Sequence, residues 1–223
     1  MKKAVWIFLV GSCVVGAAFA SGKAEQVVSK TDNSYAMGML IGEDLKESGL
    51  DINYAAFARG LRETIEGNPR FDVEEAVALV RNAFNVIEAE RNVQFQAEEQ
   101  QFLATNAQKE GIKTTASGLQ YEIIAEGTGN KPTIEDTVSI QYEGKLPQGT
   151  IFDSSYARGA PEEFQLDSII QGFSEGLQLI QEGGTIILYI PSHLAYGPQG
   201  IAEVIPPYSV LIFKVELLTI LEK

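Results

Sequence analysis

The chain is 223 residues long, 45% hydrophobic and 21% charged, with one cysteine, one histidine and a formal net charge of -13. That length holds one large domain or two small ones, and the apolar fraction is too high for a disordered chain. Acidity on this scale repels nucleic acid and gains nothing from an anionic lipid surface, and one histidine with one cysteine cannot supply a His/Cys metal set.

The first twenty residues, MKKAVWIFLVGSCVVGAAFA, pass from Lys2 and Lys3 through an apolar run to Ala18-Phe19-Ala20. That is the small-x-small ending of a signal peptide, so cleavage is expected after Ala20 and the remaining chain, with formal charge -15, is exported. Cys13 follows Val10-Gly11-Ser12, a loose lipoprotein pattern, and lipidation there is the alternative. After plain cleavage no cysteine remains to form a disulfide. No later stretch approaches the roughly 20 apolar residues of a membrane span.

From Ser29 to about Gly111 the pattern is helical. A first helix runs over Ser34 to Lys46, carries Tyr35, Met39 and Leu40 with Met37 and Ile41 nearby, and stops near Gly49, a helix-capping glycine. A second, YAAFARGLRETIEGNPR, sets Phe57, Leu61 and Ile65 four apart and ends at Gly67-Asn68-Pro69. The third opens on a capping box, Asp72 with Glu75, and meets no glycine or proline before Gly111. A helix of that length spans about 55 Å. Its second half is mostly polar and reads as an exposed stalk with little to bury against its own chain.

Beyond Gly111 the texture is alternation and turns. SGLQYEII, TVSIQYEGKL, GTIFDSS, EFQL, GTIILYIP and SVLIFKVELLTI read as strands, with one short helix, GFSEGLQLIQEG, between the fourth and fifth. This is an antiparallel sheet covered by one helix, so the fold class is α+β. The boundaries are 1–20 for the signal, 21–111 for a helical domain whose long helix occupies about 72–110, and 112–223 for the sheet domain.

Alternation puts Val138, Ile140 and Tyr142 on one face, and Leu211, Phe213, Val215 and Leu217 likewise, so Tyr142 and Phe213 look toward the helix. With Phe152, Ile169, Ile170 and Phe173 they make either a closed core or an aromatic pocket, and alternation alone does not choose between them. The pieces YEGKLPQGTIFDSSYARG, IIQGFSEG, YIPSHLAYG and IPPYSVLIFKVELL, in order and in register over about residues 115 to 221, resemble the FKBP-type peptidyl-prolyl isomerases. The segments SYAMGMLIGEDLKESGLDINYAAFARGLRET and FLATNAQKEGIKTTASGLQY are similar to the amino-terminal half of the exported Mip and FkpA group of that family.

The resemblance implies a curved antiparallel sheet wrapped on a short helix, with an apolar pocket for a prolyl ring between them. It assigns catalysis to Phe152, Asp153, Ile170 and Tyr196, and substrate binding to Tyr142, Phe152, Arg158, Phe164, Ile169, Ile170, Phe173, Tyr196, Ile205 and Phe213. Phe152 is then a wall, and Asp153 a polar group at the rim with Arg158 as its partner. Two positions depart from the family pattern: the floor, usually tryptophan, is Phe173, and Glu162 stands where some members add an aromatic.

No nucleophile, metal or cofactor is required. His193 and the serine pair Ser154 and Ser155 are expected as loop and turn residues, and the glycine-rich EGTGNKP and EGGT as turns. The expected activity is prolyl isomerisation assisting the folding of exported proteins in the periplasm, with chaperone activity. The expected partners are proline-containing unfolded or partly folded polypeptides, macrolide ligands of the FKBP type, and a second copy bound through the N-terminal helices. The alternative is a catalytically weak chaperone, or a surface binding or adhesion module using the same pocket.

Overall fold

The computed structural model describes residues 29–221, so the expected signal peptide, its cleavage site and Cys13 lie outside the described residues. The chain divides into two compact units, the first ending at Ile87 and the second beginning at Glu88.

The first unit holds α1 (Lys30–Ser48), α2 (Tyr54–Ile65) and the start of α3 (Val73–Asn106). Each helix begins where a side chain can serve its first free N–H groups: Ser29 accepts from Thr31, and Asn53 from Ala56. The Asp72 and Glu75 capping box is reciprocal, each side chain accepting the other's backbone N–H, at 2.8 and 3.2 Å. Gly49 ends α1 at φ 74, the left-handed conformation that glycine adopts without a Cβ penalty. Over residues 29–87 no residue is buried.

The second unit is a sheet of β1 (Lys113–Thr114), β2 (Gln120–Ala125), β3 (Thr137–Lys145), β4 (Ile151–Ser154), β5 (Glu162–Gln165), β6 (Thr185–Ile190) and β7 (Leu211–Leu221). The order is β1-β2-β6-β7-β3-β4, antiparallel throughout. β3 is the pivot: β7 takes one edge along its full length, while the other is shared by β5 over Thr137–Ile140 and β4 over Glu143–Lys145. The buried face alternates as the sequence requires, through Val138, Ile140 and Tyr142 in β3 and Leu211, Phe213, Val215 and Leu217 in β7.

α5 (Gln171–Leu177) covers that face. Its glycines, four apart, set the distance: a Cβ on Gly172 would fall 2.3 Å from Ile190, and one on Gly176 2.4 Å from Leu188. The short α4 (Ser155–Arg158) follows β4 directly and was not anticipated from the sequence. Ser154 caps it by accepting from Ala157, and the buried Ser155 hydroxyl accepts from the Tyr142 N–H at 2.8 Å and donates to Gln141. Both serines hold the turn, as expected. No helix among the described residues is long and apolar enough to cross a membrane.

The last turns of α3 differ from the exposed stalk expected. Phe102 is half-buried against Tyr189, and Asn106 is fully buried, its amide donating to Gln120 at 3.0 Å. The docking face reads as polar because hydrogen-bonded Glu99 and Asn106 occupy positions where hydropathy patterning looks for apolar side chains.

Candidate active site

Where β3, β7 and α5 meet, each contributes one aromatic side chain, Tyr142, Phe213 and Phe173. Phe173 on α5 sets its edge on Phe213 at 4.7 Å and on Tyr142 at 5.9 Å, and Tyr142 meets Phe164 from β5 at 5.7 Å. The cluster does not close over itself. It leaves an open cavity of about 330 Å³ lined by Tyr142, Asp153, Phe164, Ser168, Ile169, Ile170, Phe173, Tyr196 and Phe213. That geometry favours the pocket over the closed core that alternation left open. Phe173, expected as the floor, is among the lining residues and is itself buried.

Eight of the residues expected at the site line this cavity. The other three do not line it. Phe152 packs its ring on Phe213 at 5.4 Å and 85°, Ile205 is buried in the loop between β6 and β7 and paired with Ile201, and Arg158 lies at the rim. Gly144 makes the Phe152 and Phe213 arrangement possible, because a Cβ there would come within 2.6 Å of the Phe213 ring and 2.8 Å of the Phe152 ring.

The rim is one hydrogen-bonded unit. The Tyr142 hydroxyl faces Asp153 Oδ2 at 2.6 Å and Glu162 Oε2 at 3.1 Å, and accepts from Arg158 Nη2 at 2.7 Å. Arg158 also binds Asp153 through Nη1 and Glu162 through Nε, with its guanidinium 5.6 Å above the Tyr142 ring. Burial, reinforced by the Asp153 bond, holds the Tyr142 hydroxyl above the ordinary tyrosine range, so it stays a donor. For Asp153 burial works against the charge, but the bonds from Tyr142 and Arg158 outweigh it and hold the carboxyl below its ordinary value. The Tyr196 hydroxyl is raised by burial and then by the Asp153 charge.

Ser168 and the part of Glu162 in the rim were not found by sequence reasoning. Ser168 carries no signal of its own, but an arginine flanked by acids five residues before and four after could have pointed to Glu162. The Ile170 N–H, at the entry to α5, donates to no backbone carbonyl among the described residues. His193 is exposed in its loop, its Nε2 3.0 Å from the Ser117 carbonyl.

Residues 128–218 match the family described as FKBP-type peptidyl-prolyl cis-trans isomerase, and residues 30–123 match the domain amino terminal to it. The FKBP-type 22 kDa peptidyl-prolyl cis-trans isomerase of Escherichia coli (strain K12) is 42% identical over 84% of this chain and 94% of its own length. Outer membrane protein MIP of Legionella longbeachae is 36% identical over 98% of this chain and 97% of its own. The crystal structure of FkpA from Escherichia coli superposes with a TM-score of 0.70 at 31% identity, over 86% of this chain and 97% of that one.

Proposed function

This chain belongs to the FKBP-type peptidyl-prolyl cis-trans isomerases, and from that premise we propose how its site turns over: the prolyl ring enters the aromatic cavity and the preceding amide rotates there, with no covalent step. The observation that carries this is a mostly aromatic and aliphatic bowl beside which Tyr142, Asp153 and Arg158 form one hydrogen-bonded unit. The barrier to rotation, about 18–20 kcal/mol, comes from C–N double-bond character. A twisted amide has lost that character and carries less charge separation, so an apolar bowl favours it over the planar ground state.

The Ile170 N–H and the Tyr196 hydroxyl hold the substrate carbonyl. Asp153 shapes the potential at the rim and transfers no proton, and Phe152 supports the wall through Phe213. Macrolides of the FKBP-ligand type compete for the same bowl.

The natural substrates in this reading are proline-containing unfolded or partly folded polypeptides, held with the help of the helical unit, through which two copies join. Export to the periplasm follows from the leader spelling, with cleavage after Ala20 or anchoring through a lipidated Cys13 as the two forms. Intact mass of the protein isolated from cells separates them.

A peptide isomerisation assay across several residues preceding proline tests the reading. Turnover is expected, with apolar residues preferred. The smaller floor at Phe173 and the carboxylate of Glu162 favour a second reading, a chaperone or surface binding module whose bowl binds without useful turnover. That reading wins if no peptide is turned over while aggregation of an unfolded client is still suppressed.

A further inference from the structure

Twenty residues separate β6 from β7, and this connection carries Tyr196 over the cavity with only the short turn Ser192–Leu194 as regular structure. Its conformation therefore rests on individual hydrogen bonds rather than on a helix or ladder. The bonds can be followed outward from Tyr196. The Ser192 carbonyl accepts the N–H groups of Ala195 at 2.9 Å and Gly197 at 2.8 Å, the residues on either side of Tyr196. The Gly197 carbonyl accepts from Tyr208 at 3.0 Å, which closes the loop on itself.

Ser192 is held from α3. Glu99 Oε1 accepts the Ser192 N–H at 2.6 Å and Oε2 accepts its hydroxyl at 3.0 Å, across 93 residues of sequence. Two charge-assisted bonds from one carboxylate fix the orientation of a residue as well as its position. Glu99 is in turn seated by its own helix face. Phe95, Glu99, Phe102 and Asn106 follow one another at helical spacing. Phe102 lies 6.3 Å from the Tyr189 ring of β6, and Gln120 of β2 both accepts from Asn106 and donates to the Leu103 carbonyl at 2.9 Å. A rigid line thus runs from α3 through one carboxylate to the turn beside the bowl.

We propose that Glu99 is a positioning residue for the isomerase reaction, acting through Ser192 to hold the Tyr196 hydroxyl where the substrate carbonyl arrives. This rests on the reading of Tyr196 given above. Among the described residues, both hydrogen bonds that Glu99 makes go to Ser192 of the loop, so the carboxylate acts on the loop directly.

The test uses the full chain, with kcat and KM measured well below the unfolding midpoint for Glu99→Ala, Glu99→Gln, Tyr196→Phe and the Glu99→Ala/Tyr196→Phe pair. Glu99→Ala should lower kcat/KM about three- to tenfold, mostly in kcat. Glu99→Gln still accepts from the Ser192 N–H and should recover most of the loss. In the Tyr196→Phe background Glu99→Ala should add less than about twofold, because nothing is left to position. Fully additive losses, or a lowered midpoint with kcat/KM unchanged, overturn the inference and leave Glu99 a stabilising contact. If Tyr196→Phe loses activity and Glu99→Ala does not, the inference alone falls. If Tyr196→Phe is silent, the hydroxyl's role falls and takes the inference with it.

Discussion

Asp153 is pushed up by burial and pulled further down by Tyr142 and Arg158, so its folded pKa lies below the unfolded one. A depressed acid contributes stability that is complete above the unfolded aspartate value of about 3.9 and is lost as pH falls through the lower folded value. The side chain is 39% exposed, so solvent screens the pair and the contribution is small. Isomerase activity should therefore show no titration from Asp153 between about pH 5 and pH 8. Asp153→Asn should lower kcat/KM moderately with its folded spectrum intact, and its stability deficit should close below about pH 4. A complete loss of activity at every pH in a folded variant would argue for general acid-base chemistry instead. Tyr142→Phe keeps the ring contacts to Phe164 and Phe173 and deletes the hydroxyl that joins Asp153, Glu162 and Arg158. Chemical denaturation should show a cost of about 1 kcal/mol, the usual net worth of a hydrogen bond.

At the scale of elements, the bowl exists because β3 carries Gly144 where two rings converge from β4 and β7. Gly144→Ala should destabilise by about 1–3 kcal/mol, as overpacked sites do, and should lower activity with it because Phe213 is displaced. An unchanged denaturation midpoint would mean that the rings have room to move. The strands were legible because one face of each is buried, which imposes the alternation seen in Val138, Ile140 and Tyr142 and in Leu211 to Leu217. The bowl as a set of residues was legible only through the spelling of its motifs, since an aromatic row written in sequence has no feature that separates a pocket from a core. α4 was missed because four residues are too few for a period, and its cap, Ser154, looks like any turn serine. The docked end of α3 was missed for a different reason: Glu99 and Asn106 are partnered by residues 93 and 14 positions away, and no local pattern records such a partner.

For the whole molecule the decisive quantity is the apolar surface of the helical unit. Among residues 29–87 none is buried, and Tyr35, Leu40 and Ile65 are each more than 70% exposed, with Met37, Met39, Phe57 and Leu61 beside them. Short helices gain most of their stability from packing an apolar face, so a unit with no core of its own needs a partner surface. A second copy fits this need, with methionines as adaptable contacts and each patch meeting its own equivalent across a two-fold axis. Gly38 and Gly42, one turn apart in α1, support the same reading: a Cβ at either would meet nothing within 4 Å among the described residues, and helical glycine costs about 0.5–1 kcal/mol against alanine. In a lone chain Gly38→Ala should stabilise by that amount; where a second helix packs closely on this face it should instead weaken association. Light scattering on residues 21 to 223 should give the mass of a dimer, and a monomer mass at about micromolar concentration would remove the dimer and the helical client-holding unit built on it. Residues 88 to 223, cut where the compact units divide so that Glu99 and Asn106 stay with the sheet, should be monomeric, keep turnover of short peptides and lose most of the capacity to hold unfolded clients.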